Sequence, residues 1–153
     1  MKTFVLLLLT AMLGFAQEKP NFTGHWELNT AKSDFAKQPA RAVRYVIMHK
    51  EPELEYEVFH DAAPGTSAGK LKYVINGQEG SVSAQGNPLK YKAHWDSAVL
   101  VVETWGKYGP NEIKLIDKWE TQSGGKAVMI YRHFEGPGGP QDQKLLFEKQ
   151  PEK

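Results

Sequence analysis

The sequence contains no cysteine among its 153 residues. That excludes a disulfide framework, cysteine-ligated metal, thiol catalysis and a lipid anchored through sulfur. Stability must come from a packed core instead. Net charge is scarce as well: 19 lysines and arginines stand against 18 aspartates and glutamates, and setting Lys2 aside with the opening segment makes the two equal. No basic surplus draws the chain to nucleic acid or to an anionic membrane surface. Several enzyme signatures are missing. There is no Gly-x-Ser-x-Gly elbow for a nucleophilic serine. "GPGG" at 136–139 is followed by neither Lys-Ser nor a helix, so it is no phosphate loop. The five histidines, at 25, 49, 60, 94 and 133, never put two on one face of one element, which leaves no metal-ligand spacing. No metal, cofactor or catalytic group is implied.

An apolar run long enough to span a bilayer is absent too. "MKTFVLLLLTAMLGFA" has one basic residue, Lys2, an apolar stretch from Phe4 to Ala16, and small residues at Gly14 and Ala16. It reads as a secretory signal over 1–16, too short for a membrane span. The expected product is a soluble single domain, 17–153, exported to the periplasm or the medium.

Alternation, by contrast, runs through almost the whole chain. "ELEYEVF" opposes Leu54, Tyr56 and Val58 to Glu53, Glu55 and Glu57. "KLKYVIN" opposes Leu71, Tyr73 and Ile75 to Lys70 and Lys72, and "LKYKAHW" opposes Leu89, Tyr91, Ala93 and Trp95 to Lys90, Lys92 and His94. Further strands are expected near 22–29, 42–50, 79–83, 98–106, 112–122, 126–134 and 143–149. That gives about ten strands, at the short spacing of an antiparallel all-β domain. Such a meander removes its edges best by closing on itself. The fold expected is therefore a closed or nearly closed antiparallel up-and-down barrel of about 8–10 strands.

Turn chemistry sets the expected registers. Asn76-Gly77 is a two-residue hairpin signal that would pair Leu71 with Val82 and Lys72 with Ser81. Asp96-Ser97 would pair Tyr91 with Val102, Ala93 with Leu100 and Lys90 with Glu103. Gly124-Gly125 would pair Trp119 with Ile130, Leu115 with Phe134 and Asp117 with Arg132. All six side chains of this last hairpin share the apolar face, so an acid and a base meet either on the inside or, if the strands twist enough, at the barrel rim. Tyr45, Tyr56, Tyr73 and Tyr91 fall on the apolar faces of their strands, together with His49.

Gly24-His25-Trp26 on the first strand resembles the Gly-x-Trp signature of the calycin superfamily, which includes lipocalins and fatty-acid-binding proteins. The resemblance implies that Gly24 and Trp26 form the closure at one end of the barrel, with a basic residue from a late strand, here Arg132, across the indole. The chain is also similar to small exported bacterial proteins that open "F-[ST]-G-x-W-x-L-N-x-x-K-S-x-F" and end near "KLVFEKQ". Phe22, Gly24, Trp26, Leu28, Asn29, Lys32, Ser33 and Phe35 fit the opening, and "QKLLFEKQ" fits the end. That second likeness brings no activity with it. An Arg with Tyr partners inside a barrel resembles the way fatty-acid-binding proteins hold a ligand carboxylate.

The function expected is non-catalytic, lipocalin-like binding of a small apolar or amphipathic molecule inside the barrel. Tyr45, Tyr56, Tyr73 and Tyr91 would line the wall, and Asp117 and Arg132 would anchor the polar end. The alternative is a structural or protein-interaction domain whose barrel is filled with side chains. An enzyme working through His49 or His60 near Asp117 is a third reading.

Overall fold

A computed structural model describes residues 18–60 and 65–152; the expected secretory signal lies outside the described residues. Ten strands follow in order: β1 Gly24–Leu28, β2 Val43–Lys50, β3 Glu53–His60, β4 Ser67–Val74, β5 Glu79–Ala84, β6 Asn87–Asp96, β7 Val99–Tyr108, β8 Asn111–Gln122, β9 Ala127–Glu135 and β10 Gln141–Gln150. Among the described residues the helical content is two three-residue 3₁₀ turns, Thr30–Lys32 and Ser123–Gly125. All ten strands join one antiparallel sheet in the order β4-β3-β2-β1-β10-β9-β8-β7-β6-β5. The sheet curls into a nearly closed barrel whose two edges, β4 and β5, face each other.

Alternation sorts the side chains as the period-two pattern requires. Leu54 and Tyr56 of β3 are buried. Glu53 and Glu55, between them, point outward and pair with Lys72 at 3.1 Å and Lys70 at 3.4 Å on β4. Such solvated pairs contribute about 0–1 kcal/mol each; the inward residues supply the stability.

Two expected registers are corrected. The β6–β7 hairpin turns at Ser97-Ala98, with Ser97 at φ 55°, so Tyr91 faces Thr104, Ala93 faces Val102 and Lys92 faces Glu103. Lys90 forms its ion pair with Glu79 on β5, at 2.5 Å. The slip is two residues, and an even slip leaves every side chain on its original face. The larger correction is at Asn76-Gly77. Val82 pairs with Leu89 of β6 and Leu71 with Tyr56 of β3, because β4 and β5 form no ladder. Past Val74 the chain bonds elsewhere: Ile75 bridges Ala93, and Gly77 N–H donates to Ala93 O at 2.8 Å.

Tyr91 spans this seam. Its ring crosses β5 at Gly80, where a Cβ would lie 2.5–2.7 Å from the ring atoms. Its hydroxyl then accepts a hydrogen bond from Val74 N–H of β4 at 2.9 Å. Gly80 is thus required by close approach, since any side chain would collide with the clasp. Tyr91→Phe leaves the Val74 N–H without its acceptor and is expected to lower stability by about 1–2 kcal/mol, read as a shift in denaturant midpoint. An unchanged midpoint would mean the bond contributes nothing.

The end of the barrel where the β2–β3 and β6–β7 turns lie is filled solidly. Phe22 and Trp26 are 0% and 1% exposed, and Trp26 Nε1–H donates to Phe22 O at 2.8 Å. The Phe22 ring stacks on His49 and Trp95 and meets Trp119 edge-on, with centroids 5.4–6.0 Å apart. Lys149, from β10, lies over the Trp26 indole with Nζ 5.6 Å from the ring centroid. This replaces Arg132 in the expected role. Gly24 explains the fit: its φ is +140°, and a Cβ there would sit 2.7 Å from Lys149 Cε. The Gly-x-Trp spacing therefore leaves room for a lysine stem to reach the indole that closes the barrel.

Candidate ligand-binding cavity

Above the filled base the barrel is hollow. A cavity of about 260 Å³ lies at mid-height, close to the lower end of the roughly 300–1,000 Å³ common for small-molecule pockets. Its floor is polar and its walls toward the open end are apolar. Tyr45, Tyr56, Tyr73, Thr104, Asp117 and Arg132 line the floor, whereas Val58, Leu71, Leu89 and Ile113 line the walls. The split follows from strand direction. Each strand contributes inward residues two apart, and the middle inward positions of β2, β3, β7, β8 and β9 are the ones that carry polar groups.

The register across the β8–β9 turn is the one expected, with Asp117 opposite Arg132. The pair is bidentate: Arg132 Nε and Nη2 each donate at 2.8 Å, to Asp117 Oδ1 and Oδ2 respectively. The Asp117 side chain is 6% exposed and that of Arg132 24%. Burial acts to lower the guanidinium pKa, but the Asp117 carboxylate holds it well above its ordinary value. The geometry is that of a carboxylate–guanidinium ion pair, whose two charges compensate one another.

The tyrosine hydroxyls around the pair stay protonated. Burial pushes Tyr73 up to about 12, even with hydrogen bonds from Tyr56 and Thr104 pulling the other way. Burial also raises Tyr45, against the opposing charge and hydrogen bond of Arg132. It raises Tyr56 further, helped by the neighbouring Tyr73 and Tyr45. The floor therefore presents hydroxyl groups beside a compensated ion pair. Two buried nitrogens on lining residues, Trp119 Nε1 and His60 Nδ1, have no hydrogen-bond partner among the described residues.

Of the residues singled out from sequence, Tyr45, Tyr56, Tyr73, Asp117 and Arg132 meet in this cavity. Tyr91 does not line it, because its hydroxyl is occupied at the seam. His49 is also elsewhere. Its Nδ1 accepts from Phe22 N–H at 3.2 Å, and its Nε2 lies 3.0 Å from Glu51 Oε1, so it braces the base and is not paired with Asp117. Thr104 and Trp119 escaped notice as lining residues. Parity could have found both, since Thr104 is two residues from inward Val102 and Trp119 two from Asp117.

At the open end the cavity joins a vestibule of about 400 Å³ that shares Tyr108, Ile113, Leu115 and Arg132 and adds Phe134 and Gln38. The Tyr108 hydroxyl bonds to Gln85 across this mouth. Among the described residues no helix covers it, and none is long and apolar enough to cross a membrane. Among the described residues no group of three or more potential ligands is placed to hold a metal ion.

No protein-family model and no curated protein matches the chain. Solved structures do match, over nearly their whole length. The REP1-NXSQ fatty acid transporter aligns with a TM-score of 0.61 at 12% identity, covering 86% of this chain and 97% of the other. Zebrafish ileal bile acid-binding protein, complexed with cholic acid, aligns with a TM-score of 0.61 at 13% identity, covering 84% and 98%. Secretory abundant heat soluble protein 4 from Ramazzottius varieornatus aligns with a TM-score of 0.59 at 16% identity, covering 88% and 98%. At these identities the likeness establishes the fold: a ten-stranded barrel of the fatty-acid-binding-protein type.

Proposed function

We propose that this protein is a non-catalytic carrier or sequestering protein that binds a small amphipathic molecule inside its barrel. The observation that carries the reading is the cavity's division into a polar floor at Asp117, Arg132 and the tyrosines and apolar walls at Val58, Leu71, Leu89 and Ile113. A molecule with one polar end and an apolar body matches that division, head down and tail toward the vestibule. Two of the structural neighbours, a fatty acid transporter and a bile acid-binding protein, carry amphipathic ligands by their titles, which supports the same use of the fold. The apolar opening at 1–16 supports export. The cavity above the filled base favours this reading over a barrel filled throughout.

The test is titration with Nile red, an uncharged solvatochromic dye. Saturable 1:1 binding with a blue-shifted emission is expected. Leu71→Trp, which fills the cavity from one wall, should weaken that binding about tenfold or more while leaving the far-ultraviolet circular dichroism unchanged. Wild-type protein that never saturates with the dye would remove the reading.

A further inference from the structure

From the closed geometry of the ion pair we infer that the preferred ligand is uncharged, with a hydroxyl or carbonyl head group, and that carboxylates are disfavoured. This rests on the reading of the cavity as a binding site and specifies its ligand class. Among the described residues, Arg132 and Asp117 are the cavity's only Arg, Lys, Asp or Glu residues, and His60 is its one histidine. Both oxygens of Asp117 are engaged, at 2.8 Å each, by Nε and Nη2, the side-on edge of the Arg132 guanidinium. A ligand carboxylate could not take that edge without displacing Asp117, and at the remaining Nη1/Nη2 edge it would meet a cation whose charge Asp117 already compensates. Asp117 is 4% exposed and on the barrel's inner face.

The alternative, a carboxylate added beside the intact pair, places two anions around one cation in a low-dielectric site, where like charges repel strongly. The entering anion would also surrender its hydration for a partner whose charge is already compensated. A neutral oxygen meets neither obstacle. Arg132 has five N–H donors, two of them spent on Asp117 and another directed at the Tyr45 hydroxyl. The protonated hydroxyls of Tyr45, Tyr56, Tyr73 and Thr104 can each donate or accept. Hydroxyl groups and spare donors around a neutral pair suit an alcohol, an ester or a ketone.

The experiment compares 1-dodecanol with dodecanoate, two probes that share one chain and differ at the head, by titration calorimetry of the full protein at pH 7.5. The alcohol is expected to bind at least about tenfold tighter. Equal affinities, or tighter dodecanoate, would overturn the inference while leaving the carrier reading intact. Binding of neither probe, with Nile red also failing, would remove both. A second arm uses Asp117→Asn, which leaves the Arg132 charge uncompensated. Dodecanoate affinity should then rise about tenfold and the preference should invert. A folded Asp117→Asn protein with unchanged dodecanoate affinity would count against the inference, and the wild-type comparison decides the matter if the variant does not fold.

Discussion

Arg132→Met should lower the unfolding free energy by about 3–5 kcal/mol, the cost of stranding a buried charge when its partner is removed. Asp117 is the stranded group. Its carboxylate keeps no cation near it once the two 2.8 Å bonds from Arg132 are gone. The companion variant carries Asp117→Leu with Arg132→Met. It replaces the pair by apolar side chains of comparable bulk and should recover much of the loss, because a buried ion pair seldom exceeds good apolar packing in stability. Urea titrations of the two variants beside wild type check both statements. A loss under about 1 kcal/mol for Arg132→Met would mean that water reaches Asp117 freely. A double variant as unstable as the single one would mean that the pair holds the β8–β9 hairpin in place through its hydrogen bonds.

Trp26→Ala is expected to cost about 3–5 kcal/mol, as deletion of a large buried aromatic does. Three interactions go together: burial of a ring that is 1% exposed, the indole hydrogen bond to Phe22 O at 2.8 Å, and the Lys149 contact across its face. The hydrogen bond matters for position as much as for energy. Phe22 precedes β1 and is tied by its N–H to His49 of β2, so Trp26 helps fix the segment that plugs the base. Trp26→Phe keeps most of the ring volume but loses the donor, and it should fall between the alanine variant and wild type. Thermal and urea unfolding of the two variants test this. A midpoint for Trp26→Ala within about 1 kcal/mol of wild type would show the closure to be carried by Phe22, Trp95 and Trp119 without it.

The strands and the inward faces were legible because period-two alternation depends only on which face is buried. Asp117 opposite Arg132 was legible for the same reason, with Gly124-Gly125 pinning the register. What sequence could not supply were contacts made across several strands. Tyr91 has the same alternation as Tyr56 and Tyr73, yet its hydroxyl reaches β4 over a glycine one strand away. No local pattern marks that reach. Asn76-Gly77 is a sound turn signal, but the strands on either side part company because Ile75 and Gly77 bond to β6. Lys149 and Arg132 were likewise indistinguishable as partners for Trp26. Both are cations on late strands, and only the neighbour relation between β1 and β10 chooses between them.

The seam between β4 and β5 makes the barrel, in mechanical terms, a split ring. A fully laddered barrel has a circumference fixed by its strand number and shear, and it widens only by breaking a row of hydrogen bonds. This one is held at its split by the Tyr91 clasp and the contacts of Ile75 and Gly77 with Ala93. All of these lie on the base side of the seam. Toward the mouth, a recess of about 150 Å³ runs beside β4 and β5 and shares Val58, Leu71, Ala84 and Tyr108 with the cavity. Among the described residues the ring is thus fastened across its split at the base end, with a recess between its two edges toward the mouth.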